Sequence, residues 1–120
     1  MKKILIVDDE KDFLLMLGKR LASEGYTVIT ADNGCDAVAL AKAKLPDIIL
    51  LDVLIPGIDG GEIAEKLKDD FRTKNIPVIF LTALLSKTEE YQGSHIIAGN
   101  ITFAKPVDTG ELLTQIKKLL

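Results

Sequence analysis

The sequence is poor in cysteine and in aromatic residues. It contains one cysteine, Cys35, no tryptophan, and only 5% aromatic residues. A single thiol excludes an internal disulfide framework and a zinc site built from cysteines. A lone thiol also suits a reducing compartment, so we expect a cytoplasmic protein.

Long apolar runs are missing as well. The longest apolar stretch, residues 48–55, is interrupted by Asp52 and is too short to cross a membrane. Near the N-terminus, the apolar residues 4–7 are followed at once by acidic residues beginning at Asp8. That segment is too short for the apolar part of a signal peptide. We therefore expect neither secretion nor a membrane partner.

The chain has no excess of positive charge. Its 15 lysine and arginine residues stand against 18 aspartate and glutamate residues, which gives a net charge of −3. Direct nucleic-acid binding needs a basic surface for phosphate contacts, so we do not expect it. A chain of 120 residues that is 48% hydrophobic has the size and composition of one globular domain.

Short apolar runs alternate with amphipathic segments along the whole chain. Buried strands that alternate with helices indicate a parallel sheet covered on both faces. We predict an α/β fold in which a five-stranded parallel sheet, in the order 2-1-3-4-5, is doubly wound with five helices, as in flavodoxin-like proteins. The predicted strands are residues 3–7, 26–30, 47–51, 76–81 and 101–104, and the predicted helices are residues 11–23, 34–44, 62–71, 86–98 and 109–120.

Polar residues follow four of the predicted strands. Asp8 and Asp9 come after the first strand, Asp52 after the third, Thr82 after the fourth and Lys105 after the fifth. The carboxyl ends of parallel strands meet at one edge of a sheet, so we expect these side chains to lie close together. Three clustered carboxylates repel one another unless they bind a cation or take up protons. An all-oxygen ligand set favours Mg²⁺, or Mn²⁺ in its place, over Zn²⁺.

These residues suit phosphoryl transfer. A carboxylate can attack phosphorus and form an aspartyl phosphate. Asp52 is the natural nucleophile because it is the lone acid at the end of the central strand. Asp8 and Asp9 would hold the metal, Lys105 would pair with the phosphoryl group, and Thr82 would donate a hydrogen bond to one of its oxygens.

Four motifs carry a resemblance to a known family. They are ILIVDDE at residues 4–10, LLDVLIPGIDG at residues 50–60, FLTA at residues 80–83 and FAKP at residues 103–106. With these motifs the sequence resembles the receiver domain of two-component response regulators, in particular the chemotaxis-type receivers that consist of a single domain. The resemblance covers residues 1–120 and implies one receiver domain, with no output domain within this chain.

The resemblance implies a set of roles for the residues at the strand ends. Asp52 would accept a phosphoryl group from a sensor histidine kinase or a histidine phosphotransfer protein. Such a domain catalyses only its own phosphorylation and dephosphorylation, so it is not an enzyme in the usual sense. Lys105 and Thr82 would contact the phosphoryl group. The ligands of Mg²⁺ would be Asp8, Asp9, Asp52 and the main-chain carbonyl of Leu54.

The resemblance also implies how the signal leaves the domain. Phosphorylation would shift the face formed by the fourth helix, the fifth strand and the fifth helix, and so change the binding of a downstream protein. We expect a monomer or a weak dimer. The family usually has an aromatic residue three positions before the lysine, but this chain has Thr102 there and Phe103 next to it. Alternation along the strand turns Phe103 to the opposite face, towards the core.

Three other functions compete with this interpretation. A phosphatase of the haloacid dehalogenase type usually has a second aspartate two residues after the nucleophile, where this chain has Leu54. A flavodoxin-type flavin carrier needs a phosphate-binding loop rich in serine, threonine and glycine after the first strand, where this chain is acidic. A degenerate receiver that binds proteins without being phosphorylated fits the missing aromatic residue but not the intact acidic residues.

Overall fold

In the computed structural model of the protein, the described residues are 2–53, 60–82, 94–97, 100–104 and 108–120. They form six strands and four helices. In chain order these are β1 (Lys3–Val7), α1 (Lys11–Ser23), β2 (Thr27–Ala31), α2 (Gly34–Lys44), β3 (Ile48–Asp52), α3 (Gly60–Lys68), β4 (Val78–Thr82), β5 (Ser94–Ile97), β6 (Asn100–Ala104) and α4 (Thr109–Leu119).

The strands form one sheet in the order β2-β1-β3-β4-β6-β5. All neighbours from β2 to β6 are parallel. Because β6 is the fifth strand predicted from the sequence, the predicted parallel order 2-1-3-4-5 is confirmed. Four of the five predicted helices are confirmed as α1 to α4, although α3 begins and ends earlier than predicted.

The predicted helix over residues 86–98 is wrong for residues 94–97. These residues form β5, which pairs antiparallel with β6 so that Ile97 lies opposite Asn100 and Ser94 opposite Phe103. The segment contains two β-branched residues, Ile96 and Ile97, which favour a strand. It also lacks the 3.6-residue apolar stripe that would hold a helix against the sheet. Residues 86–93 and 98 lie outside the described residues.

The core lies in two layers, one on each face of the sheet. Because side chains alternate along a strand, neighbouring isoleucine and leucine residues enter opposite layers. Ile4, Ile6 and Leu50 pack under α1 and α4, whereas Leu5 and Leu51 pack under α2 and α3. The near-continuous apolar strands are therefore explained by burial on both faces.

Side chains at the helix starts fix where the helices begin. The Asn33 side chain accepts a hydrogen bond from the Asp36 backbone N–H at 2.9 Å, and the Asp108 side chain accepts one from the Glu111 N–H at 3.1 Å. Asparagine and aspartate are among the residues that most often form such N-caps. No helix within the described residues is long and apolar enough to cross a membrane.

Candidate functional site

Three carboxylates meet at the carboxyl edge of the sheet. Asp8 and Asp9 follow β1, and Asp52 is the last residue of β3. The two strands are neighbours, with Val7 opposite Leu51, so Asp8 and Asp52 lie level with each other. One carboxylate oxygen from each of the three aspartates lies within 4.8 Å of the other two. The structure therefore brings together the three acids that the sequence places at strand ends.

The three carboxylates differ in exposure. Asp8 is fully buried and Asp52 is 5% exposed, whereas Asp9 is exposed. Asp8 is fixed by its surroundings, because its carboxylate accepts a hydrogen bond from the Glu10 N–H at 2.9 Å and its own N–H donates to the Ala31 carbonyl at 3.1 Å. The cluster is thus anchored from inside by Asp8 and open to solvent on the side of Asp9.

Gly60, the first residue of α3, packs directly on the backbone beneath the Asp52 side chain. Its N–H donates to the Val53 carbonyl at 2.8 Å. A Cβ added at Gly60 would stand 2.7 Å from both the Asp52 carbonyl oxygen and the Val53 Cα, too close for any other residue. The sequence predictions above give Gly60 no role of its own. The available signal was a glycine pair at the start of a helix, where glycine is a poor helix former.

The donor set fits a hard divalent cation. Ligand oxygens on opposite sides of Mg²⁺ are about 4.2 Å apart, because each bond is about 2.1 Å long. Neighbouring ligand oxygens on an octahedral ion are about 3.0 Å apart, so three oxygens that lie within 4.8 Å of one another need to move towards one another to share one ion. Among the described residues this is the one group of three or more acidic, histidine or cysteine side chains close enough to share an ion.

Of the other predicted site residues, the structure describes only Thr82, and only through its backbone position. Thr82 is the last residue of β4 and pairs with Ala104 of β6, one step beyond the pair formed by Asp52 and Leu81. The backbone therefore brings Thr82 to the same edge as the acidic cluster. Lys105 and Leu54 lie outside the described residues.

The position where the family usually has an aromatic residue is buried. Thr102 is fully buried and pairs with Phe80, whereas Phe103 pairs with Leu81 and belongs to the core layer under α1 and α4. The prediction that Phe103 is a core residue is confirmed.

Comparison with known proteins agrees with this geometry. Residues 4–117 match the response regulator receiver domain family. The chain is 42% identical over 117 residues to the response regulator PleD of Caulobacter vibrioides, a match that covers 98% of this chain and 26% of PleD. It is 38% identical over 120 residues to protein PilH of Pseudomonas aeruginosa, covering 100% of this chain and 98% of PilH. The chain thus spans about a quarter of PleD and nearly all of PilH.

Solved structures show the same fold. The chemotaxis protein CheY4 of Vibrio cholerae superposes with a TM-score of 0.85 at 29% identity, over 100% of this chain and 99% of that one. A response regulator from Chloroflexus aurantiacus superposes with a TM-score of 0.83 at 32% identity, over 98% and 96%. Receiver domains are signalling domains rather than classical enzymes, and they bind Mg²⁺ at an acidic pocket. The chain belongs to the response regulator receiver domain family of two-component systems.

Proposed function

We propose that residues 1–120 form one receiver domain in which Asp52 accepts a phosphoryl group from a phosphohistidine. The donor is a sensor histidine kinase or a histidine phosphotransfer protein in the cytoplasm. The observation that carries the proposal is the cluster of Asp8, Asp9 and Asp52 at the carboxyl edge of the sheet. Asp52 ends β3, a central strand of the sheet, beside the other two carboxylates.

The transfer is a displacement at phosphorus. A carboxylate oxygen of Asp52 forms the new bond to phosphorus, and the bond from phosphorus to the donor's imidazole nitrogen breaks. The electron pair of the broken bond stays on that nitrogen. Asp8, Asp9, Asp52 and the main-chain carbonyl of Leu54 would hold Mg²⁺, which supplies positive charge against the phosphoryl oxygens. Asp8 keeps its place through its hydrogen bond from the Glu10 N–H.

Two further residues complete the proposed site. Lys105 would pair its ammonium group with the phosphoryl oxygens, and Thr82 would donate its hydroxyl hydrogen to one of them. The support is positional, because β4 ends at Thr82 and β6 ends at Ala104, immediately before Lys105. Both strands end at the edge that carries Asp52.

The response would reach a downstream protein through the face that includes β6 and α4. Thr102 is buried there in place of the usual aromatic residue, and Phe103 is packed in the core. We propose that the phosphorylated and unphosphorylated states differ on this face without the rotation of an aromatic side chain.

The intact mass of the protein tests the acceptor. After incubation with Mg²⁺ and acetyl phosphate, we expect the wild type to gain one phosphoryl group and Asp52→Asn to gain none. The matched control is Asp69→Asn, because Asp69 is an exposed acid at the other end of α3 and should not affect the gain. Removal of Mg²⁺ should abolish the gain in every variant. A phosphoryl gain by Asp52→Asn would contradict the assignment.

A magnesium titration separates the two remaining interpretations if the wild type gains no mass. Mg²⁺ binding that Asp9→Asn weakens would mean that the site is intact and needs its own phosphohistidine donor. Absence of Mg²⁺ binding would favour the degenerate receiver and contradict the proposal.

A further inference from the structure

Basic side chains gather at the amino edge of the sheet, opposite the acidic cluster. Helices that connect parallel strands run against them, so the C-terminal ends of the helices lie at this edge. Every described helix has basic residues in its last turn, and further ones lie at the start of β1 and after α3. The basic residues at this edge are Lys2, Lys3, Arg20, Lys42, Lys44, Lys66, Lys68, Arg72, Lys74, Lys117 and Lys118.

The carboxylates at the amino edge are fewer, and two of them are already paired. Glu24 lies 3.6 Å from Arg20, and Asp70 lies 3.0 Å from Arg72 and 3.5 Å from Lys42. The acidic residues here are outnumbered by the basic ones, although the whole chain carries a net charge of −3. These acidic residues are Glu24, Asp47, Glu65, Asp69 and Asp70. The net charge therefore conceals a separation between a positive amino edge and a negative carboxyl edge.

Some of these cations have no role in the fold that the structure shows. Within the described part of the chain, Lys44, Lys68 and Lys74 make no ion pair with a carboxylate. Cations in the last turn of a helix stabilise the helix dipole, which accounts for Lys44 and Lys68. It does not account for Lys74 or Lys2, which lie outside the helices.

Two large apolar side chains are exposed at the same edge. Phe71 is 81% exposed and Leu45 is 48% exposed. Leu45 also has a left-handed backbone, with φ at 48°, which glycine or asparagine usually occupies at the end of a helix. The ion pair between Lys42 and Asp70 ties the end of α2 to the turn after α3, so Leu45 and Phe71 belong to one part of the edge. Burial in the core explains neither side chain.

We propose that the amino edge binds the surface of an anionic lipid bilayer. The lysine and arginine side chains would contact lipid phosphates, while Phe71 and Leu45 would enter the interface between headgroups and acyl chains. The cations are spread over the ends of all four described helices, on both faces of the sheet. A planar anionic surface can contact all of them at once, whereas an acidic peptide would reach only a part.

This proposal departs from the expectation of no membrane partner. That expectation rested on the absence of long apolar runs, which excludes a membrane-spanning helix. It does not report where on the surface the cations lie. Binding through the amino edge would also leave Asp52 facing away from the bilayer, accessible to a phosphoryl donor.

Vesicle co-sedimentation of the full chain tests the proposal. We expect binding to vesicles of phosphatidylcholine with phosphatidylglycerol and none to vesicles of phosphatidylcholine alone. Each cation removed should weaken binding about fivefold, so Lys68→Gln with Lys74→Gln should weaken it about 25-fold. Phe71→Ser should weaken it about tenfold. The controls, Lys11→Gln and Leu15→Ser, remove a cation and an exposed apolar side chain from the N-terminal half of α1, away from the amino edge, and should change little.

Several results would overturn the proposal. They are the absence of binding to anionic vesicles, an equal loss in the α1 controls, or binding that Phe71→Ser leaves unchanged. Soluble polyglutamate that binds as tightly as the vesicles would assign the edge to acidic proteins instead. Circular dichroism and the phosphoryl gain at Asp52 show whether each variant folds, and they keep this test independent of the proposed phosphoacceptor function.

Discussion

At the scale of single residues, the place of the Asp52 carboxylate depends on a glycine eight positions later. Gly60 brings the start of α3 against the end of β3, with its N–H bonded to the Val53 carbonyl. The contact is made with backbone atoms, which cannot rotate out of the way as a flexible side chain can. A methyl group at this position would therefore displace either α3 or Asp52, the proposed phosphoacceptor.

We expect Gly60→Ala to destabilise the protein by about 1–3 kcal/mol, as overpacking of a close-packed site does. It should also slow the phosphoryl gain at Asp52. Gly18→Ala is the matched control, because the added Cβ would lie 3.5 Å from a Val28 methyl group, an ordinary contact, inside α1. Alanine there should be neutral or stabilising by up to about 1 kcal/mol. Urea denaturation and intact-mass time courses measure both effects, and equal stability of the two alanine variants would refute the argument.

The residues of the acidic cluster could be predicted because each follows an apolar run. Burial on both faces marks the strands, and a parallel sheet brings their carboxyl ends together, so the sequence alone predicts that Asp8, Asp9 and Asp52 lie near one another. The glycine pair at the start of α3 is a signal for Gly60 but does not identify its contact, because that contact is the backbone of a strand rather than a residue with a recognisable pattern. The left-handed backbone of Leu45 could not be predicted from the sequence either, because leucine rarely adopts this conformation.

At the scale of elements, the end of α3 shows how local hydrogen bonds override an apolar pattern. The sequence predicts a helix as far as Phe71, but α3 ends at Lys68. The Asp70 carboxylate accepts hydrogen bonds from the Arg72 backbone N–H at 2.8 Å and from the Arg72 guanidinium at 3.0 and 3.2 Å. The Thr73 hydroxyl donates to the carbonyl of Leu67, in the last turn of α3, at 2.6 Å. This turn replaces the final turn of the predicted helix and leaves Phe71 exposed.

The Asp70 turn gives stability a pH dependence. The side-chain and backbone hydrogen bonds from Arg72 hold the pKa of Asp70 well below its usual value. Ionised Asp70 therefore favours the folded state, fully above about pH 4 and less as the pH falls below that value. We expect Asp70→Asn to be less stable than the wild type near neutral pH, by a small amount because the pair is near the surface, and the difference to shrink in acid.

Urea denaturation between neutral pH and about pH 2 measures that difference. Asp69→Asn is the matched control, because it removes the same charge from the exposed neighbouring position. If the difference between the wild type and Asp70→Asn stays constant over the whole range, the Arg72 hydrogen bonds do not stabilise the fold through the charge of Asp70.

Strand β5 marks the other limit of prediction at this scale. Residues 94–97 are too short for a reliable periodicity, and their conformation depends on a partner strand that follows them in the chain. Ile96 lies opposite Ile101 and His95 opposite Thr102. Such pairing is a tertiary effect, which overrides weak local preferences. The five parallel strands, by contrast, could be predicted, because their own apolar composition indicates that they are buried.

At the scale of the whole molecule, the acidic cluster couples metal binding to stability. Asp8 and Asp52 are buried next to each other and next to Asp9, so the folded chain concentrates negative charge that the unfolded chain keeps apart. A divalent cation that binds this arrangement and not the unfolded chain must raise the free energy of unfolding by mass action. The gain is about 2.7 kcal/mol when the free ion concentration is 100 times the dissociation constant.

We therefore expect Mg²⁺ to raise the melting temperature of the wild type by several degrees, measured by calorimetry against KCl of equal ionic strength. Asp9→Asn is the decisive variant, because Asp9 is exposed and its side chain makes no hydrogen bond among those the structure shows. Its loss should remove the magnesium response while leaving the metal-free protein as stable as the wild type, or more so through relief of repulsion. Asp12→Asn, which removes an exposed acid from the first turn of α1, should keep the response. A magnesium response in Asp9→Asn equal to that of the wild type would mean that the ion binds elsewhere, and the proposed role of the three aspartates as one metal site would fail.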